Sequence, residues 1–134
     1  MGLITCSLLF ARELPILSGR VTLPDHAGVG DEVTMTVTIT NSHPEAIVLD
    51  SIDVDDSFLE GFRVVNIVPE PKDTMHVFGR RSWDFTRKVA VADSWDIQFN
   101  LKAVSAGHWS GDVDICNPNQ DCTTLIADMG VNDE

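Results

Sequence analysis

Two stretches of the chain alternate strictly between apolar and polar residues. In Asp31 to Thr40, Val33, Met35, Val37 and Ile39 alternate with Thr34, Thr36, Thr38 and Thr40. In the second, Trp95, Ile97, Phe99, Leu101 and Ala103 alternate with Asp96, Gln98, Asn100 and Lys102. A period of two, with β-branched residues, predicts strands that bury one face and wet the other. Gly28-Val29-Gly30 and Asn41-Ser42-His43-Pro44 supply turns on either side of the first. Other strands are predicted over Ser18–Leu23, Ala46–Val54, Phe62–Val68, Trp109–Cys116 and Cys122–Val131. Trp83, Phe85, Val89 and Val91 share a parity that includes Arg87, which predicts a strand with an exposed or bulged middle. Asp55-Asp56-Ser57 is positioned to cap one helical turn through Phe58-Leu59, stopped at Gly61.

No segment of ten residues or more carries a 3.6-residue period. About eight short strands with regular turn signals define an all-β, two-sheet antiparallel sandwich of about seven to nine strands. Nothing divides the sequence after its first residues, so residues 15–134 are expected to form one domain. Residues 1–14 stand apart as an N-terminal segment, with Cys6 inside it. Its short apolar run lacks a basic start and makes a poor signal peptide. It reads either as a first strand or as the remnant of an export or anchoring segment.

The 134 residues include 9 Lys plus Arg against 21 Asp plus Glu, a net charge of −12. Nucleic acids and anionic membranes both demand a basic footprint, so neither is expected as a partner. At 43% hydrophobic, the chain has the means to bury a core and is no disordered acidic tail. No apolar run approaches the length of a membrane span.

Of the three cysteines, Cys116 and Cys122 enclose five turn-forming residues. Both lie on the polar parity of their strands. In a hairpin their sulfurs would emerge on the same face, so a disulfide is expected, with reduced thiols as the alternative. The pair lacks the further Cys or His of a zinc site and the spacing of a redox motif. Cys6 is left free or paired outside the chain. A Cys116–Cys122 bond would imply an oxidising compartment.

Catalytic chemistry finds little footing. No nucleophile-elbow glycine-serine phrase or phosphate-binding glycine motif occurs. His26, His43, His76 and His108 fall in or near predicted turns. Trp83, Trp95 and Trp109 each begin an apolar series and are assigned to the core. Blue copper would need two His with a Cys and a weak axial ligand, and no His lies between Cys116 and Met129. No cofactor is expected. The one metal candidate is calcium, at Asp53, Asp55 and Asp56, although these acids lack the order of an EF-hand loop.

The phrase from Gly30-Asp31-Glu32-Val33 through Val37 and Ile39 to Asn41 resembles the opening of bacterial extracytoplasmic immunoglobulin-like repeats. The CARDB-type adhesion domains and related conserved-repeat domains carry it. Trp95 through Gly107 to Gly111-Asp112-Val113 is similar to their late strands. The cysteine hairpin departs from their pattern. The resemblance implies an immunoglobulin-like sandwich at the cell surface or in the periplasm, held there by a membrane anchor outside this chain or not. It implies no enzyme. The implied role is a spacer, an adhesion unit or a protein-interaction domain, with a protein or neighbouring domains as partner. The alternative is a carbohydrate- or calcium-binding accessory module of a larger exported protein.

Overall fold

The computed structural model describes residues 16–133. The 1–14 segment and Cys6 therefore lie outside the described residues. Ten strands and one helical turn follow in order: β1 Ser18–Thr22, β2 His26–Gly28, β3 Glu32–Thr40, β4 Ile47–Asp55, α1 Asp56–Leu59, β5 Phe62–Val68, β6 Asp73–Val77, β7 Arg80–Val89, β8 Ser94–Ala103, β9 Gly107–Cys116 and β10 Cys122–Asn132. A four-stranded sheet runs β1-β3-β8-β5, and a six-stranded sheet runs β2-β10-β9-β4-β7-β6. All pairs are antiparallel except β2 with β10.

The two alternating stretches are neighbours. Val33, Met35, Val37 and Ile39 of β3 lie opposite Leu101, Phe99, Ile97 and Trp95 of β8. Val37 and Phe99 are fully buried. The other parity makes a polar ladder: Thr34 Oγ1 donates to Asn100 Oδ1 at 2.8 Å on exposed surface, and buried Thr38 donates through Oγ1 to Asp96 Oδ1 at 2.8 Å. The six-stranded sheet answers with Leu49, Ile52, Val54, Trp83, Phe85, Val113, Ile115, Ala127 and Met129. Trp83 meets Phe99 edge to face across the layers, with ring centroids 5.2 Å apart. Burying these facing apolar sides is what joins the sheets.

Three expectations are refined. The strand count exceeds seven to nine because β2 and β6 were not signalled, and β2 adds one parallel pair. Val91 is 51% exposed, outside the core, because β7 ends at Val89 and the chain turns at Ala92 (φ 63°). The expected irregularity in β7 is present: the register shifts between Leu49 and Ser51 opposite it, Thr86 adopts φ 42°, and the Arg87 guanidinium sits 4.4 Å from the Trp95 ring centroid.

The helical turn forms where expected, but by other means. Asp55 occupies the N-cap position without a side-chain capping bond, and Gly61 has no left-handed backbone. Gly61 is required for close approach instead. A Cβ there would lie 2.3 Å from Trp109 Cδ1, and that indole is held by its Nε1 donating to Ser105 O at 3.0 Å. At the other corner, buried Asn41 donates through Nδ2 to Glu45 O (2.9 Å) and Val89 O (3.0 Å), tying the β3–β4 turn to the end of β7.

Candidate functional site

The expected hairpin is β9–β10, with Cys122 directly opposite Cys116. The two are joined by a disulfide, their Cα atoms 4.1 Å apart. The loop between them is shaped independently by Asn117, whose Oδ1 accepts from the N–H groups of Asn119 and Asp121, each at 3.0 Å.

From this hairpin the outer face of the six-stranded sheet runs across β4 and β7 to the edge at β6. Its rows follow from register. Asp55, Arg80 and Val77 form one row, Asp53, Ser82 and Met75 the next, and Ser51, Asp84 and Asp73 a third. Asp114 and Cys116 of β9 continue two of them. These side chains face away from the core because the intervening Ile52, Val54 and Trp83 face into it.

The carboxylates proposed for calcium are divided among different partners. Asp53 Oδ1 accepts from Ser82 Oγ at 2.6 Å. Asp55 takes Arg80 Nη2 at 3.0 Å on one oxygen and the Asp112 N–H at 2.9 Å on the other. Asp56 turns to His76 Nε2, 2.6 Å away. Among the described residues, no group of three or more His, Cys, Asp and Glu side chains is placed to hold a metal ion.

Arg80 is the electrostatic pivot of this face. Its Nη1 donates to Asp114 Oδ2 at 2.7 Å while Nη2 serves Asp55. The hydrogen bond to Asp114 is the main cause of its pKa lying above the ordinary arginine value. Burial opposes that shift, and the charges of Asp114 and Asp55 add to it. One guanidinium thus satisfies two carboxylates. Among the described residues, Asp50, Asp53, Asp73 and Asp84 enter no ion pair. Asp50, Asp53 and Asp84, together with Arg80, line a hollow of about 320 Å³ that Met75 and Val77 border on the side of β6.

β6 is the feature the sequence did not signal. All five of its residues are exposed. Among the described residues it pairs only with β7, so no strand covers the other side of its backbone, where the Thr74 N–H donates to Asp73 Oδ1 at 2.8 Å. Met75 is 59% exposed, and Phe78, in the turn beyond it at φ 40°, is fully exposed. The edge of the opposite sheet is β5, where Val65 and Val68 are also exposed. Between the two edges runs a groove of about 710 Å³, lined by Val64, Ile67, Val68, Thr74 and Trp83 among others. Thr74 lies opposite buried Trp83, so the inward parity of β6 looks into this groove, while Met75 and Val77 look over the acidic face.

The histidines are strand residues more often than turn residues. His76 is in β6, His108 in β9 and His26 in β2. His108 Nε2 lies 2.8 Å from Asp128 Oδ1 on exposed surface. Trp83 is buried, and Trp95 and Trp109 pack half-buried against the core, as their parity predicted. Cys116 and Met129 are both buried, the former in its disulfide.

No protein-family model matches the sequence, and no curated protein matches it. Solved structures do match the fold. A cohesin module from a Clostridium perfringens family 33 glycoside hydrolase is 10% identical, covers 90% of this chain and 100% of its own, and gives a TM-score of 0.58. The CARDB domain of PF1109 from Pyrococcus furiosus, in its solution structure, is 16% identical over 92% of this chain and 100% of its own, with a TM-score of 0.56. AvmM, described as catalysing macrocyclization in alchivemycin A biosynthesis, is 11% identical over 92% and 95%, with a TM-score of 0.61. The chain is an immunoglobulin-like β-sandwich. The resemblance carried by Gly30 to Asn41 is met by a CARDB domain among the structures that share this fold. Identities this low establish architecture, and the same architecture serves AvmM as well as modules, so function has to come from the site.

Proposed function

We propose that this chain is a non-catalytic, extracytoplasmic interaction module that engages a protein partner through the open side of its sandwich, at β6 and the groove beside it. The observation that carries this reading is an edge strand with every residue exposed, bearing Met75 and Val77 and followed by a fully exposed Phe78. Apolar side chains on an unpaired edge do nothing for folding and invite association, so soluble sandwiches normally blunt them. The disulfide supports an oxidising compartment. Cys116 and Cys122 are cross-linked, so neither is free to act as a nucleophile.

The test is photo-crosslinking in cells of the source organism, with the photoreactive residue placed in turn at Met75, Phe78 and Ile126. Ile126 is the control: it is 59% exposed like Met75, but lies on β10. A single protein adduct at Met75 and Phe78, absent at Ile126, supports the reading. Adducts at Ile126 alone, or at none of the three, overturn it.

A further inference from the structure

The two sides of β6 see different surroundings, and a strand laid along it would see them too. Its inward side chains would enter the groove over Trp83, Ile67 and Val68, which Asn66, Glu70 and Asp73 also line. Its outward side chains would stand beside Met75 and Val77 on a face where, among the described residues, Asp50, Asp53, Asp73 and Asp84 form no ion pair. The one arginine of that face, Arg80, is already held by Asp55 and Asp114. Successive residues of a strand point to opposite faces, so apolar demand on one side and cationic demand on the other translate into alternation in the ligand's sequence.

We infer, building on the interaction module just proposed, that the partner contributes an extended segment in which apolar residues alternate with Lys or Arg, and that this segment adds to β6 as a seventh strand of the six-stranded sheet. Backbone pairing along β6 supplies the binding, and the alternation supplies the specificity. A second copy of this chain is a poorer occupant. Each copy carries −12, and pairing two β6 edges would bring the two acidic faces into one continuous surface.

The experiment uses the full chain and three short capped peptides as probes: one alternating valine with lysine, one of the same composition with its valines and lysines in separate blocks, and one alternating valine with glutamate. Affinity is read by fluorescence anisotropy and the docking place by amide hydrogen exchange. The alternating valine–lysine peptide should bind about tenfold or more tighter than either of the others. It should slow exchange across Asp73–Val77 and leave β10 unchanged. The Asp73→Asn/Asp84→Asn variant, checked for an unaltered unfolding midpoint, should lose several-fold of that affinity and part of its salt dependence. Equal binding of the blocked peptide, equal binding of the glutamate peptide, or protection elsewhere overturns the inference. So does a dimer in the absence of peptide that is abolished by Met75→Asp, which would make the edge a self-association site. If the β6 crosslinks form in cells and all three peptides fail, this inference falls and the interaction module stands. If the crosslinks fail as well, both fall.

Discussion

The six-stranded sheet carries two hairpins built on opposite terms. β9–β10 pairs along ten positions, ends in a disulfide and a loop organised by Asn117, and buries Val113, Ile115, Ala127 and Met129. β6–β7 pairs along five, and its outer strand buries nothing. The first hairpin is held by packing, a covalent bond and side-chain hydrogen bonds together. In the second, β6 is held by its pairing with β7 and by two bonds to Asp56, one from His76 and one through Gly79 O, yet it carries the exposed methionine, valine and phenylalanine. The apolar residues of β9–β10 build the fold. Those of β6 face outward, and the fold does not account for them.

Truncation separates the two most sharply. Met129→Ala removes a fully buried side chain and should cost about 2–4 kcal/mol of unfolding free energy in denaturant titration. Met75→Ala should change it by less than about 0.5 kcal/mol. Equal losses would erase the distinction between the hairpins. Gly61→Ala should cost about 1–3 kcal/mol, because the added carbon meets the Trp109 ring packed against the core, and should shift tryptophan emission with it. Removing the disulfide as Cys116→Ser/Cys122→Ser should lower stability by about 2 kcal/mol while leaving the far-ultraviolet spectrum intact. The Asn117 bonds still shape that loop. Among the core, disulfide and ion-pair changes, the smallest effect is expected for Arg80→Met, which should cost about 1 kcal/mol, less at high salt, since this ion-pair network is partly open to water.

What could be read beforehand depended on burial asymmetry. β3, β8 and β10 announced themselves because one side of each faces the core, and the shared parity of Cys116 and Cys122 placed their sulfurs together. β6 left no such trace: with no buried side, Asp73–Val77 has no reason to alternate, and only the Phe78-Gly79 turn beyond it was available as a signal. β2 is three residues long and exists through a parallel pairing with the chain's last strand, a contact invisible to local pattern. The acids were visible as a cluster in sequence around Asp53, Asp55 and Asp56. Their division was not, because it depends on Arg80, Ser82 and His76 arriving from distant strands. Gly61 follows the helical turn as the sequence suggests, but what demands a glycine there is the approach of the Trp109 ring rather than a left-handed cap.

The claim that the open edge serves a partner and not the fold is tested most directly by the unfolding free energy of Met75→Asp/Phe78→Asp. A value within about 0.5 kcal/mol of the parent is expected, as for exposed positions that support nothing else. A loss of about 2 kcal/mol or more would show that the fold itself depends on these side chains, and would contradict that claim.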